Sequence, residues 1–459
     1  MTRRPTAADW TALRRRMRGE VILPGDPGYA TARRIADPRF HQARPRAIAR
    51  CSTEDDVRAA VDFARRHRLT PHPRSGGHSF AGYSTGPGLV IDVSPLDAIR
   101  IDDARARIGA GNRSGRVTRV LAEHGRLLPV GTCPEVGIAG LTLGGGIGMV
   151  GRAYGLTMDN LREADIVLAD GSAVTCGPSA HPDLYFALRG AGAGAFGVVT
   201  ALTFDTYPAP EVRTFFLGWP GHRTAETITA WQRWSMTLPE PMSTQLCVRG
   251  GASQTLVIAW WCGAPGAGDP LVARLVAALG EPAAAGTHTS GYPDAITHLW
   301  EVLRPSPEPV YTFQEDHLLA APLPPNATAL LARRLAARPD TILLLERQGG
   351  ALGKDPTTAW AHRGCPFAMW FWSEVAPAAG VGRVIEARNR VVSLWQELRP
   401  WASGQSYQNN ISPRRPDWAA AYYGEHLDRL RAIKTRYDPH DLFHHPQSLR
   451  PALLAARSD

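Results

Sequence analysis

Two stretches of the 459-residue chain carry residue types and spacings suited to holding a large anionic ligand. The first reads Arg74-Ser75-Gly76-Gly77-His78-Ser79-Phe80-Ala81-Gly82-Tyr83-Ser84. Consecutive glycines after a helix and before a strand let backbone N–H groups turn together toward an anion. Such a nest binds phosphate oxygens without a P-loop lysine, and Arg74 would add charge. The second stretch, residues 130–156, reads VGTCPEVGIAGLTLGGGIGMVGRAYGL, with glycines at 131, 137, 140, 144, 145, 146, 148, 151 and 155. Glycine inside an ordinary element is unfavourable by roughly 0.5–1 kcal/mol relative to alanine. So many in one place imply a backbone wrapped around something flat and bulky, and a long dinucleotide fits. The segment is not a GxGxxG between a strand and a helix of a βαβ unit, so a nicotinamide Rossmann domain matches poorly. Nor is it a flexible linker, because Ile138, Leu141, Leu143, Ile147 and Met149 recur through it.

Around these stretches the first part of the chain reads as α/β. Residues 5–20 are largely polar and helix-like. Ser52-Thr53-Glu54-Asp55-Asp56 ahead of Val57, Ala60, Val61 and Ala64 predicts a capped helix. Strands are expected at Leu89–Val93, Arg107–Gly111, Ala164–Ala169, Ala173–Thr175 and Gly197–Phe204, with a hairpin turn at Asp170-Gly171. Val117 to Leu121 begins a helix. Near residue 208 the texture changes. From there to about 400, strands such as Thr255–Trp261 and Phe367–Trp372 alternate with helices such as Leu271–Leu279 and Thr328–Ala337. Beyond Pro400 come Tyr407, Asn409 and a helix expected from Trp418 to Tyr437. The length suggests two domains or one domain with a large insertion.

Composition excludes several function classes. The net charge is +9 and the pI about 9.5, yet the basic residues are almost all Arg, Lys occurring only at Lys354 and Lys434. They are spread along the chain without the basic-aromatic pattern of nucleic-acid modules, so no nucleic-acid partner is expected. Six cysteines at 51, 133, 176, 247, 262 and 365 have no CxxC spacing, which suggests neither a zinc site nor a disulfide framework, and no metal is expected. No stretch of about 18 apolar residues is present, so no membrane span is expected. Arg3-Arg4 is not followed by an apolar region, and the reading is a cytoplasmic protein.

RSGGHSFAGYS together with GTCPEVGIAGLTLGGGIG resembles the berberine-bridge-enzyme-like group of FAD-linked oxidases, within the vanillyl-alcohol-oxidase superfamily. The likeness continues through Tyr154–Leu161, Ala169-Asp170-Gly171, His181–Leu184, Leu188-Arg189-Gly190 and Phe196–Thr200. It reappears at Gly349-Gly350-Ala351, His362-Arg363, Tyr407–Asn410, Tyr422-Tyr423-Gly424 and Tyr437-Asp438-Pro439. The resemblance implies an α+β fold. A split FAD-binding domain of the PCMH type (1–208, completed by 400–459) would flank an inserted substrate domain (209–399) built as an antiparallel sheet covered by helices. It implies FAD attached at two points, His78 to the flavin 8α-methyl carbon and Cys133 to flavin C6. Imidazole nitrogen and thiolate are suitable nucleophiles toward an electron-poor ring. Gly76, Gly77, Ser79, Gly140 and Thr142 would meet the pyrophosphate, and Gly145, Gly146 and Gly148 would approach the cofactor closely. Asn160, Ile166, Gly197 and Val199 would lie along it, Tyr407 and Asn409 would close over the ring, and Arg74, Ser75, Gly82 and Gly137 complete the set. Val136 stands at the family's oxygen gate, where Val resembles oxidases and Leu dehydrogenases.

The pattern breaks at one place. The family usually ends this motif YxNY, and the last Tyr often helps deprotonate substrate; here it is Asn410. A carboxamide is no general base near neutral pH. A second common base position, on the strand after the His-Arg pair, falls near Trp370, which with Trp372 would form an aromatic wall at strand period 2. Tyr407, Tyr311, Glu315, Glu346 and Glu374 remain candidate bases. The expected activity is oxidation of an alcohol, sugar or polyketide-like natural product by hydride transfer to flavin N5, with O2 reduced to H2O2. The catalytic set would be drawn from Tyr407, Asn410 and Trp370, in a monomer or homodimer. The alternatives are a flavin dehydrogenase or oxidative cyclase on the same scaffold, or a ligand-binding flavoprotein without turnover.

Overall fold

The computed structural model describes residues 4–192, 194–251, 254–303, 310–355 and 357–452; Arg3 of the Arg3-Arg4 pair lies outside them. A helix over Ala7–Arg16 opens the chain. The helix Glu54–His67 starts where its capping residues placed it, with Thr53 and Asp56 satisfying each other's backbone N–H groups. Buried Asp56 also accepts from the N–H groups of Arg18, Gly19 and Ser52, so one carboxylate ties the N-terminal segment to this helix. A four-stranded sheet runs Glu20–Ile22, Ala47–Arg50, Leu89–Asp92, Pro71–Arg74, the last three parallel. A five-stranded antiparallel sheet has Gly197–Asp205 at its centre, between Arg105–Gly109 and Leu161–Leu168.

Strands from residues 211–375 form a seven-stranded antiparallel sheet. Its order is Ala284–Gly291, Glu211–Pro220, Gln254–Trp261, Met242–Arg249, Thr341–Arg347, Phe367–Val375, Tyr311–Leu319. Side chains alternate between its faces. One face, with Leu246, Leu343, Met369 and Phe371, packs under the helices Thr224–Ser235, Asp269–Leu279, Pro325–Ala336 and Val381–Leu398. The other, with Cys247, Trp260, Ile342 and Leu344, joins the core shared with the first two hundred residues. The α+β class and the helix-covered antiparallel sheet are as expected from sequence.

One element differs. The helix expected from Trp418 to Tyr437 is two, Trp418–Tyr423 and Leu427–Tyr437. Gly424 between them has φ +49°, a left-handed conformation that interrupts the helix, and a Cβ there would press on Ala361 at 3.1 Å.

Lys434, on the second of these helices, is fully buried. It donates to the Ala195 and Phe443 carbonyls and to Asp438, each at 2.7 Å, which ties the C-terminal segment to the turn that leads into strand Gly197–Asp205. Lys434→Met leaves the buried Asp438 carboxylate without its cation and is expected to lower unfolding free energy by about 3–5 kcal/mol, measured by urea denaturation.

Candidate active site

The two glycine-rich stretches touch. The turn after strand Pro71–Arg74 and the segment before helix Ile138–Leu143 pass backbone against backbone. A Cβ on Gly76 would stand 2.2 Å from the Gly137 amide nitrogen, and a Cβ on Gly137 would meet Gly76 at the same distance. Only glycine fits at either position. The second segment is pinned by residues 112–115: Asn112 O accepts from Ile138 N, Val136 O accepts from both Ser114 N and Ser114 Oγ, and Gly115 N donates to Pro134 O. His78 follows Gly76 by two residues and Cys133 precedes Gly137 by four, so the chain positions both side chains from one contact. Both are partly buried. Burial, with help from the Arg113 charge, pulls the His78 imidazole down to about 4. It is therefore neutral at neutral pH and keeps a nitrogen lone pair.

The other expected cofactor residues divide into two groups. Some are engaged within the protein. Arg74 forms a buried ion pair with Asp92 at 2.8 Å and donates to Ala32 O, bracing two parallel strands, so only its buried Nη1 has no partner among the described residues. Ser75 Oγ donates to Ala110 O, Ser79 Oγ accepts from Tyr83 N, and Thr142 Oγ1 donates to Ile138 O. Asn160 is saturated: its Nδ2 donates to Tyr154 O and Leu156 O, and its Oδ1 accepts from Tyr207 OH. Ile166, Gly197 and Val199 sit in the central pair of the five-stranded sheet, where Val199 faces Ile166. The glycine density also has an internal cause. A Cβ on Gly82 would enter the Phe40 ring, on Gly145 would strike Trp360 and Tyr407, on Gly146 Thr157, and on Gly148 the Val130 carbonyl. The chain's own crowding thus accounts for glycine at these positions. The second group is less tightly constrained, and of it Gly140 stands open. Gly140 is exposed with nothing within 4 Å of a Cβ, and Gly77 has its nearest neighbour, Ile35, at 3.5 Å. Val136 is partly buried against the core.

The C-terminal segment closes over the arch from residue 144 to 148. The Tyr407 phenol oxygen accepts from the N–H groups of Gly146 (2.9 Å) and Ile147 (3.4 Å) and from Asn409 Nδ2 (2.8 Å). Asn409 Nδ2 also donates to Leu141 O. Burial pushes the phenol up to about 12, so it remains protonated. Its ring meets Trp360 and Trp370 edge-on, with centroids 5.1 and 5.8 Å away. Asp316, buried on the sheet's edge strand, accepts from Tyr407 N at 2.8 Å and Ser406 Oγ at 2.5 Å and so sets the height of this segment. Burial raises its carboxyl to about 6. Asn410 is buried, with its Nδ2 unpartnered among the described residues. Trp370 and Trp372 do share a face and are both half-buried.

Of the candidate bases, Glu315 is used structurally: it accepts from Ser412 Oγ on the far side of the edge strand. Tyr311 and Glu374 lie at the end of the sheet where the two strands pair Tyr311 with Val375. Tyr407 and Glu346 are brought close enough for the Glu346 charge to act on the phenol. Sequence reasoning did not single out Trp360 or Asp316. Neither carries a motif, and their importance comes from what packs on them.

The chain matches two family profiles, "FAD binding domain" over residues 45–177 and "Berberine and berberine like" over residues 406–450. It is 30% identical over 451 residues to an uncharacterized FAD-linked oxidoreductase, YgaK, of Bacillus subtilis, covering 95% of this chain and 98% of the relative. It is 29% identical to the xylooligosaccharide oxidase of Thermothelomyces thermophilus, over 89% of this chain and 88% of that protein. Identity is likewise 29% to the (R)-6-hydroxynicotine oxidase of Paenarthrobacter nicotinovorans, over 95% and 97%. The solved structure of Physcomitrella patens BBE-like 1 superposes with a TM-score of 0.89 at 27% identity, over 96% of this chain and 98% of that one.

Tyr407→Phe removes the acceptor of two backbone N–H groups and of the Asn409 amide. It is expected to reduce stability by about 1–3 kcal/mol, read as a lower midpoint in chemical denaturation.

Proposed function

We propose, for a chain that belongs to the berberine-bridge-like FAD-linked oxidoreductases, that it is an oxidase holding its flavin by two covalent links, through His78 and Cys133. The observation that carries this reading is the Gly76–Gly137 contact, which sets the two nucleophile-bearing turns side by side. The donor chemistry fits the group. His78 is neutral at working pH, Cys133 is partly buried rather than sealed in the core, and Gly140 leaves room beside an otherwise crowded backbone. When bound, FAD supplies a two-electron acceptor that O2 reoxidises with release of H2O2.

The chain's own residues would do the rest. Residues 1–208 with 400–459 would hold the cofactor, and 209–399 would supply the floor on which substrate rests. Tyr407 and Asn409 fix the arch from 144 to 148, while Trp370 presents an aromatic edge beside Tyr407. Val136 is read as the small gate that admits oxygen. The substrate is a small molecule with an oxidisable alcohol: a sugar, or an alcohol carried by a polyketide-like natural product. The similarity to the xylooligosaccharide oxidase supports the sugar class.

The attachment is tested by acid precipitation of the purified protein. Yellow flavin is expected in the wild-type pellet, retained by His78→Ala and by Cys133→Ala and lost from the double variant. Flavin confined to the supernatant of the wild type refutes the covalent links. The oxidase reading predicts one H2O2 released per substrate oxidised in air, and a Val136→Leu variant whose reoxidation by O2 is slowed while its anaerobic reduction is not.

A further inference from the structure

The face of the large sheet turned toward Tyr407 carries an unpaired carboxylate. Strand register sets Glu346 opposite Gln245 on one side and Ala368 on the other, and Leu344 opposite Trp370. Cross-strand partners share a face, and residues two apart on a strand do too. Glu346, Gln245, Trp370 and Asp316 therefore look the same way. Among the described residues the Glu346 carboxylate makes no hydrogen bond and no ion pair, and the residue is largely shielded from solvent. Carboxylates in such surroundings are ordinarily paired. Three buried donors have no partner among the described residues: Gln245 Nε2, directly opposite Glu346 across the strand pair, Trp370 Nε1, on the next strand of the same face, and Asn410 Nδ2, on the turn that carries Tyr407. Unsatisfied buried groups call for a reason, and a bound polar molecule supplies one.

We propose that Glu346 is the general base of the reaction, taking the hydroxyl proton of a neutral, hydroxylated substrate whose remaining oxygens accept from Gln245, Trp370 and Asn410. The inference rests on the oxidase reading above. In the step, the substrate O–H bond breaks and its proton goes to the Glu346 carboxylate. The neighbouring C–H bond gives its hydrogen and both electrons to the oxidised flavin as hydride, and the C=O bond forms. The carboxylate takes the role that residue 410, being Asn, does not fill.

The surroundings bear this out. Burial alone raises the Glu346 carboxyl to about 8, which suits proton transfer near neutral pH. The charged and titratable groups about it are already committed. Arg152 spends its guanidinium on the carbonyls of Met242, Gln348, Leu238 and Pro239. Arg347 points to the opposite face, toward Ser235 O and Pro366 O over the Phe367 ring. Asp316 is held by Ser406 and Tyr407, the Tyr407 phenol stays protonated, and burial keeps the Cys247 thiol neutral at about 11.

The test uses the flavin-loaded enzyme with Glu346→Gln and Glu346→Asp beside it, each accepted only if its flavin content and absorbance match the wild type. Anaerobic flavin reduction by xylobiose, chitobiose and benzyl alcohol is followed from about pH 5 to about pH 10. A base must be ionised to act, so the wild-type rate is expected to rise with pH and level above about 8. Glu346→Gln is expected to lose at least about 100-fold and its acid limb, with part of both kept by Glu346→Asp. A second reading needs no turnover. Infrared difference spectra should show a protonated-carboxyl carbonyl band that titrates near pH 8 in the wild type and is missing from Glu346→Gln. A Glu346→Gln variant within about threefold of the wild type and with the same pH profile, or a wild type lacking that band, overturns the proposal and leaves the oxidase reading standing. A wild type whose flavin is reduced by none of the three alcohols removes the hydroxyl substrate itself, and both readings fall together.

Discussion

The contact between Gly76 and Gly137 is the constraint on which the site depends. Two backbones meet, and the atoms a Cβ would strike include main-chain atoms on both sides, joined at Gly137 by Ser75 Oγ. A flexible side chain can swing aside, but a peptide unit held in two networks cannot. The turn carrying His78 is fixed by the parallel strands behind it, through the Arg74–Asp92 pair, and the segment carrying Cys133 is fixed by residues 112–115. The relative position of the two side chains follows from elements that contain neither.

Residues 400–452 supply a second constraint. They cross from the edge of the seven-stranded sheet to the five-stranded one, and polar anchors hold them at each crossing. Asp316 receives the Tyr407 N–H, Tyr407 receives the N–H groups of the arch, and Lys434 reaches three buried oxygens. Burial raises Asp316 and Glu315 above the usual carboxylate range, and each is answered by hydroxyl or amide donors. Desolvation of a carboxylate is large, so partners of this kind at both ends make the segment's placement specific.

The two faces of the large sheet have been put to different uses. The helix-covered face is apolar and densely packed, with Trp231, Leu246 and Phe371 at its heart. The opposite face mixes indole and amide donors with the Asp316 and Glu346 carboxylates, and several of its donors have no partner among the described residues. A face meant only for packing gains nothing from unpaired donors, each of which costs about 1–3 kcal/mol when buried. Their persistence there, and the apolar order behind them, separate the face that supports from the face proposed to bind substrate.

Local signals in the sequence were enough for the capped helix at Glu54 and the strands at Leu89 and Gly197. Each depends on neighbours within a turn or a strand, where spacing alone governs geometry. Residue types along one chain cannot report what arrives from a distance, and that is where sequence reasoning fell short. Gly145, Gly146 and Gly148 read as room for a cofactor, but Trp360, Tyr407, Thr157 and Val130 crowd them. Arg74 read as a free charge and Asn160 as a cofactor contact, yet both are largely taken by the protein itself. The break at Gly424 is set by a left-handed backbone that helical periodicity does not reveal. Of five candidate bases, sequence could rank none. Only the register of the sheet, which decides which side chains share a face, and the absence of any partner for one carboxylate among the described residues set Glu346 apart.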